Sequence, residues 1–186
     1  MQLKFDYLLI KKYVPYGVSK REEHYKLSDC FCWFWLHFKE SRGITETDYW
    51  EHHLKEPEIA SWRGVAFEEV CFQHIWQIKM ALQIAGVSSK ESALIVKGSG
   101  KNEGMQLDLL IDRADDVMNV CEMKFNKSAL TITKAYAQKL VARVSTLEKT
   151  NPDKTYHLTL ISVLPPKPNA YTDTFTARIT IDELFK

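Results

Sequence analysis

An α/β fold is the class this sequence predicts, and three observations predict it. A helix-length apolar stripe occupies residues 60–84. Three strand-like runs follow at 93–97, 106–113 and 117–125. A second amphipathic stretch over 133–147 then precedes two more apolar runs, 156–164 and 175–181. Helical spacing giving way to period-two alternation and back again is the pattern of a sheet with helices against it.

The bulk numbers agree with a soluble globular chain. It has 186 residues, 45% hydrophobic and 26% charged, with 25 basic and 24 acidic side chains and a net charge of +1. Such a balance neither predicts nor excludes nucleic acid as a partner; a local basic face would be needed. No signal peptide is visible, and no apolar run approaches the ~18 residues needed to span a bilayer. Cys71 and Cys121 sit in apolar runs and read as buried thiols of a reducing compartment. An intracellular, cytoplasmic protein with no membrane contact is the expectation.

Residues 1–27 carry six Lys/Arg against three Asp/Glu. Alternating runs at Phe5–Ile10 and Glu23–Leu27 flank Val14-Pro15-Tyr16-Gly17, which predicts a β-hairpin. Asp29 is placed to cap a helix over the aromatic run 30–40, because its carboxylate can accept from unpaired backbone N–H groups. Packing between helices is the first reading of those aromatics, and a base-stacking platform the second. Ser41-Arg42-Gly43 ends that helix; Thr45 or Thr47 opens a short one stopped near Pro57. The long helix 60–84 repeats Phe67, Cys71, Ile75, Ile78 and Leu82, with Gly86 as its stop.

The central strands carry the chemistry. Leu107, Leu109 and Ile111 alternate with Asp108, Leu110 and Asp112, and Glu122 and Lys124 are two apart on the next strand. Folding this hairpin about Asp115 puts Asp108, seven residues before it, across from Glu122, seven after. Cross-strand Cβ atoms lie roughly 5 Å apart. Two carboxylates that close repel unless a divalent cation sits between them, and hard cations such as Mg²⁺ take carboxylate oxygens. Lys124 adds an ammonium able to orient water or stabilise charge developing on a phosphate. Ordinary charges on a solvent-facing hairpin are the competing reading. The strongly apolar flanks weigh against it, since a central strand pair hides charge only for a reason.

Glu68 is a fourth candidate. Its helical neighbours Val65, Cys71, Phe72 and Ile75 are apolar, so it falls within or at the edge of the core stripe, with Glu69 about 100° away on a more polar side. A glutamate reaching for the rim is the alternative. Lys134, Lys139 and Arg143 lie in a stretch, 125–155, with six Lys/Arg against two Asp/Glu, and are weak candidates for phosphate contact; a solvated helix face is the plainer reading.

Together these residues resemble the PD-(D/E)XK phosphodiesterases, a restriction-endonuclease-like fold with a helix–three strands–helix–strand core. Its signature is an acid on the second strand, (D/E)-x-K on the third, and often a Glu on the first helix. Here those positions are Asp108 in Gln106-Leu-Asp-Leu-Leu-Ile-Asp112, Glu122-Met-Lys124, and Glu68. A closer resemblance spans most of the chain, to the C-terminal part of prokaryotic AAA-type ATPases that carry a winged-helix segment followed by a nuclease-like domain. It rests on Tyr25-Lys-Leu-Ser-Asp29 with Phe31, Phe34 and Trp35; on Gly64-x-x-Phe67-Glu68; on Gln106-x-Asp108-Leu-Leu-Ile-Asp-Arg113; on Cys121-Glu-Met-Lys-Phe125; on Ile132-Thr-Lys134; and on Ile181-Asp-Glu-Leu-Phe185. The resemblance implies three segments: a winged-helix remnant or hairpin (1–28), a helical linker (29–59) and a nuclease-like domain (60–186). It implies catalytic roles for Glu68, Asp108, Glu122 and Lys124, a Mg²⁺ or Mn²⁺ ion on Asp108 and Glu122, and DNA as substrate. An ATPase module and a second copy are compatible partners, and the absent ATPase suggests a piece of a longer protein or a stand-alone domain. A non-catalytic DNA-binding or protein-interaction module is the alternative function.

Other chemistries fail on spacing. Gly98-Ser-Gly100-Lys101 lacks the Walker A glycine, since Ile95 stands there, and Asn102 replaces the Ser/Thr after the lysine. No nucleotide cofactor is expected. His52 and His53 are adjacent and point apart on a helix, Cys30-x-Cys32 has no second pair at zinc spacing, and no nucleophile elbow is present.

Overall fold

The structure is a computed structural model that describes residues 9–17, 24–42, 49–96 and 104–186. It divides into two compact units, Met1–Val70 and Cys71–Lys186. The Gly98–Lys101 loop and Thr45 and Thr47 lie outside the described residues.

In the first unit, β1 (Ile10–Tyr13) pairs antiparallel with β2 (His24–Leu27). The expected hairpin is there. Its first strand begins at Ile10, and residues 1–8 are outside the described set. Gly17 has φ +77°, a left-handed conformation that glycine adopts without steric cost. Helix α1 (Cys30–Arg42) opens where expected, with Asp29 Oδ1 accepting from the Cys32 N–H at 2.5 Å. Helix α2 (Tyr49–His53) is short. Helix α3 (Pro57–Gln73) begins at the proline expected to stop its predecessor; proline suits the first helical position, where an N–H has no partner anyway. Phe38 and Ile59 are fully buried with Phe34 and Trp62 packed against them, and the Trp62 ring meets both phenylalanines edge to face. Helix packing therefore accounts for part of the aromatic run, while Phe31 and Trp35 stack on each other and remain exposed.

The expected single helix over 60–84 is two. It breaks at His74, whose backbone (φ −111°, ψ 29°) leaves helical space, and α4 (Ile75–Ala81) follows in the second unit. Gly86 is not the stop. Gln83 takes the left-handed position (φ 60°), with Gln83 N–H donating to Met80 O and Ile84 N–H to Lys79 O, both at 2.9 Å. That is the Schellman arrangement, and burial of Ile84 completes its apolar contact.

The second unit is a five-stranded mixed sheet flanked by helices. Its order is β3 (Ser89–Val96), β4 (Met105–Arg113), β5 (Val117–Lys124), β6 (Thr155–Ser162), β7 (Ala177–Thr180). The first three strands run antiparallel; β5, β6 and β7 run parallel. Helix α5 (Lys134–Thr150) joins β5 to β6, starting at Thr133, whose hydroxyl accepts from the Tyr136 N–H. Parallel neighbours need such a crossover. A loop over 163–176 joins β6 to β7, and α6 (Ile181–Leu184) closes the chain. Leu107, Leu109, Leu110 and Ile111 are all fully or nearly fully buried, so β4 is covered on both faces, as its continuous apolar run predicts.

Candidate functional site

The hairpin arithmetic is realised in the register. Leu109 pairs with Cys121, Leu110 with Val120 and Ile111 with Asn119. One step beyond the Leu109–Cys121 pair, where the β4–β5 ladder ends, come Asp108 and Glu122. Asp108 there does the work of a backbone group: its Oδ2 accepts the Met123 N–H at 2.9 Å. A buried N–H left without a partner would be costly, and this bond replaces the β4 partner that Met123 lacks past the last β4–β5 pair, while β6 continues to pair with β5 on the other side.

Both carboxylates are buried, Asp108 at 9% exposure and Glu122 at 4%. Lys124 Nζ lies 2.8 Å from Glu122 Oε1 and keeps 40% of its side chain exposed. Two residues of α5 complete the cluster. The Tyr136 hydroxyl donates to Glu122 Oε1 at 2.8 Å, and Arg143 Nη1 donates to Glu122 Oε2 at 3.3 Å. Both oxygens of Glu122 thus meet cations or donors, which is how a buried carboxylate keeps its charge.

Burial first, and the Glu122 charge second, hold the Asp108 carboxyl above its usual range; the Met123 N–H, Lys124 and Arg143 pull the other way. Burial and the same glutamate push the Tyr136 phenol far above its ordinary value, so it stays a neutral donor. Next to Glu122, burial pushes the Cys121 thiol up to about 12, so it is inert.

The donor set suits a hard divalent cation. Asp108 Oδ1 has no donor among the described residues, and burial together with the Glu122 charge raises the Asp108 carboxyl; a bound cation would relieve the second of these. No cluster of three or more His, Cys, Asp or Glu side chains able to hold a metal occurs among the described residues. Any cation here would complete its shell with water or substrate oxygen.

Of the residues expected from sequence, Asp108, Glu122 and Lys124 come together. Glu68 belongs to the first unit, where it is half-buried on α3. Its neighbour Glu69, expected on the more polar side, is the buried one, at 6%, paired with Lys26 at 2.5 Å. Lys134 and Lys139 are exposed on α5. Arg143, expected at most to touch phosphate, is turned to Glu122 instead. Tyr136 was missed. Its signal was legible: Tyr136, Leu140, Arg143 and Leu147 recur at steps of four, three and four, one stripe of α5 whose other two members are buried. Polar tips on a core stripe point to a buried partner.

No family model and no curated protein matches this chain. Among solved structures, the crystal structure of a protein of unknown function, AF1548, is similar over 62% of this chain at 20% identity and a TM-score of 0.42. The match covers 64% of that chain, just under two thirds of its length. No helix among the described residues is long and apolar enough to cross a membrane.

Proposed function

We propose that this chain is a metal-dependent phosphodiesterase of DNA-endonuclease type, with a PD-(D/E)XK core that includes α4, β3–β5, α5 and β6 of the second unit. The observation that carries this reading is the convergence of Asp108, Glu122 and Lys124 at one end of the two central strands: two buried carboxylates one step past the ladder, and one half-exposed ammonium beside them. Asp108 and Glu122 would hold Mg²⁺ or Mn²⁺, which when bound supplies charge neutralisation and a more acidic water. Lys124, the most exposed member, faces a phosphate with a donor and a full positive charge. Tyr136 and Arg143 hold Glu122 in one orientation, so less ordering is left to the moment of reaction.

Purified protein should nick supercoiled DNA with Mg²⁺ or Mn²⁺ and not with EDTA. Asp108→Ala and Lys124→Ala should each lower the rate by on the order of 100-fold or more. Equal behaviour of wild type and both variants would sink the catalytic reading.

One observation favours a second reading, a non-catalytic DNA-binding or protein-interaction module of a prokaryotic AAA-type ATPase. Glu122 has partners on both oxygens from this chain alone, so the cluster is closed without a cation. Under that reading Mg²⁺ leaves the melting temperature unchanged, whereas a cation held by Asp108 and Glu122 raises it.

A further inference from the structure

A cleft of about 590 Å³ lies in the second unit, lined by Pro165, Pro166, Pro168, Thr172, Asp173 and Arg178 among others. Its size is that of a small-ligand site. The loop forming it is tied down at its start and at its middle. Asn126 exchanges two bonds with Leu164, accepting from its N–H and donating to its carbonyl, each at 3.1 Å. Asn169 donates to Ile132 O at 2.9 Å and accepts from the N–H groups of Tyr171 and Thr172. Three prolines further restrict the backbone. The cleft is thus largely formed before any ligand arrives.

Its position relates it to the carboxylate cluster. Lys124 pairs in register with Ser162, and Ser162 with Thr180, so the three parallel strands end on one row. The cleft loop leaves β6 two residues past Ser162, and Asn126, its anchor, lies two residues past Lys124. Ligands of open α/β sheets collect outside the carboxyl ends of their strands. Two strand spacings put Thr180, which also lines the cleft, about 10 Å from Lys124 along that row.

Arg178 gives the cleft its chemistry. Nη1 donates to Thr172 O at 2.9 Å and lies 3.6 Å from Asp173 Oδ1. Nε and Nη2 have no acceptor among the described residues, and the side chain is 42% exposed. A guanidinium anchored by one nitrogen presents the rest of its fork to an anion, the geometry that recognises phosphate. Asp173, 85% exposed, opposes an anion only through water-screened charge. Proline faces and Ala170 supply flat apolar walls for a sugar or base.

We propose that this cleft binds a flanking nucleotide of the strand whose phosphate faces Lys124, with Arg178 holding its phosphate. The assignment rests on the phosphodiesterase reading and supplies its substrate register.

The test is binding in EDTA, by fluorescence anisotropy of a labelled single-stranded oligonucleotide, so that no turnover enters. Arg178→Ala should weaken binding about tenfold, and the salt dependence (log K against log [salt]) should flatten by about 0.7. Asp173→Asn, which removes the opposing charge, should tighten binding about threefold, a gain that misfolding cannot imitate. Wild-type binding that neither Arg178→Ala nor Asp173→Asn alters overturns the cleft and leaves the phosphodiesterase reading standing. No binding by wild type, together with no cleavage, overturns both. A mononucleotide binding as tightly as the oligonucleotide also overturns the proposal.

Discussion

Glu69 and Glu122 are both buried glutamates that face a lysine, yet their surroundings differ in kind. Glu69, on α3 in the first unit, meets Lys26, and its Oε1 has no hydrogen-bond partner among the described residues. Glu122, on β5 in the second unit, accepts from Tyr136, Lys124 and Arg143, and has Asp108 beside it with a raised carboxyl. Glu69 is a local pair with one oxygen to spare. Glu122 is the centre of a network to which two elements contribute, with a second acid beside it whose raised carboxyl favours a proton. The first arrangement fastens a hairpin to a helix. The second concentrates charge where the β4–β5 ladder ends, and a buried cluster with a perturbed carboxyl is a candidate functional site.

This contrast can be broken by substitution. The largest effect on stability is expected from Glu122→Ala, which takes the acceptor from the Tyr136 hydroxyl and the partly buried Arg143 and should cost about 2–3 kcal/mol in denaturant unfolding. A cost below that of Glu69→Gln would remove the distinction.

The next effect is on pH. The folded chain keeps the Asp108 proton at pH values where the unfolded chain has lost it, so the stability tied to it is present below the usual carboxylate range and lost as pH rises through the raised value. Asp108→Asn keeps an acceptor for Met123 and removes that loss. In metal-free buffer the variant should melt higher than wild type at about pH 8, with the gap closing toward about pH 4. Added Mg²⁺ should raise the melting temperature of wild type and not of the variant; a constant gap across pH would show that Asp108 ionises freely.

Smaller still is Glu69→Gln, at about 1 kcal/mol, because Lys26 is partly exposed and its ammonium can turn to water. The smallest change in stability is expected from Lys124→Met, below about 1 kcal/mol by chemical denaturation, since the lysine is 40% exposed. The same substitution should abolish cleavage, and that split between stability and activity is the sharpest mark separating a working residue from a structural one.

The central hairpin was legible because its signals are local. Period-two alternation and a turn centred near Asp115 are enough to set Asp108 beside Glu122, and Asp116, with φ 60°, makes that turn. Glu68 and Glu69 show where such reasoning stops. Helical spacing puts Glu68 at the edge of the apolar stripe and Glu69 about 100° away on a more polar side, yet Glu69 is the buried one, because its partner is Lys26 of β2, far off in sequence. The break at His74 has no Pro or Gly to announce it. Gln83 took a left-handed cap because the Schellman bonds and the burial of Ile84 offset its steric cost, while Gly86 stood three residues too late.

From the sequence alone came the element types, the pairing of β4 with β5, and the three residues Asp108, Glu122 and Lys124, because each depends on side-chain period or on a short turn. Tertiary structure decided the rest. It set α5 so that Tyr136 and Arg143 reach Glu122, ran β6 and β7 parallel to β5, and folded the proline-rich loop into a cleft at their ends. Those outcomes depend on how a crossover returns to the sheet and on which distant groups meet, and no window of neighbouring residues contains that information.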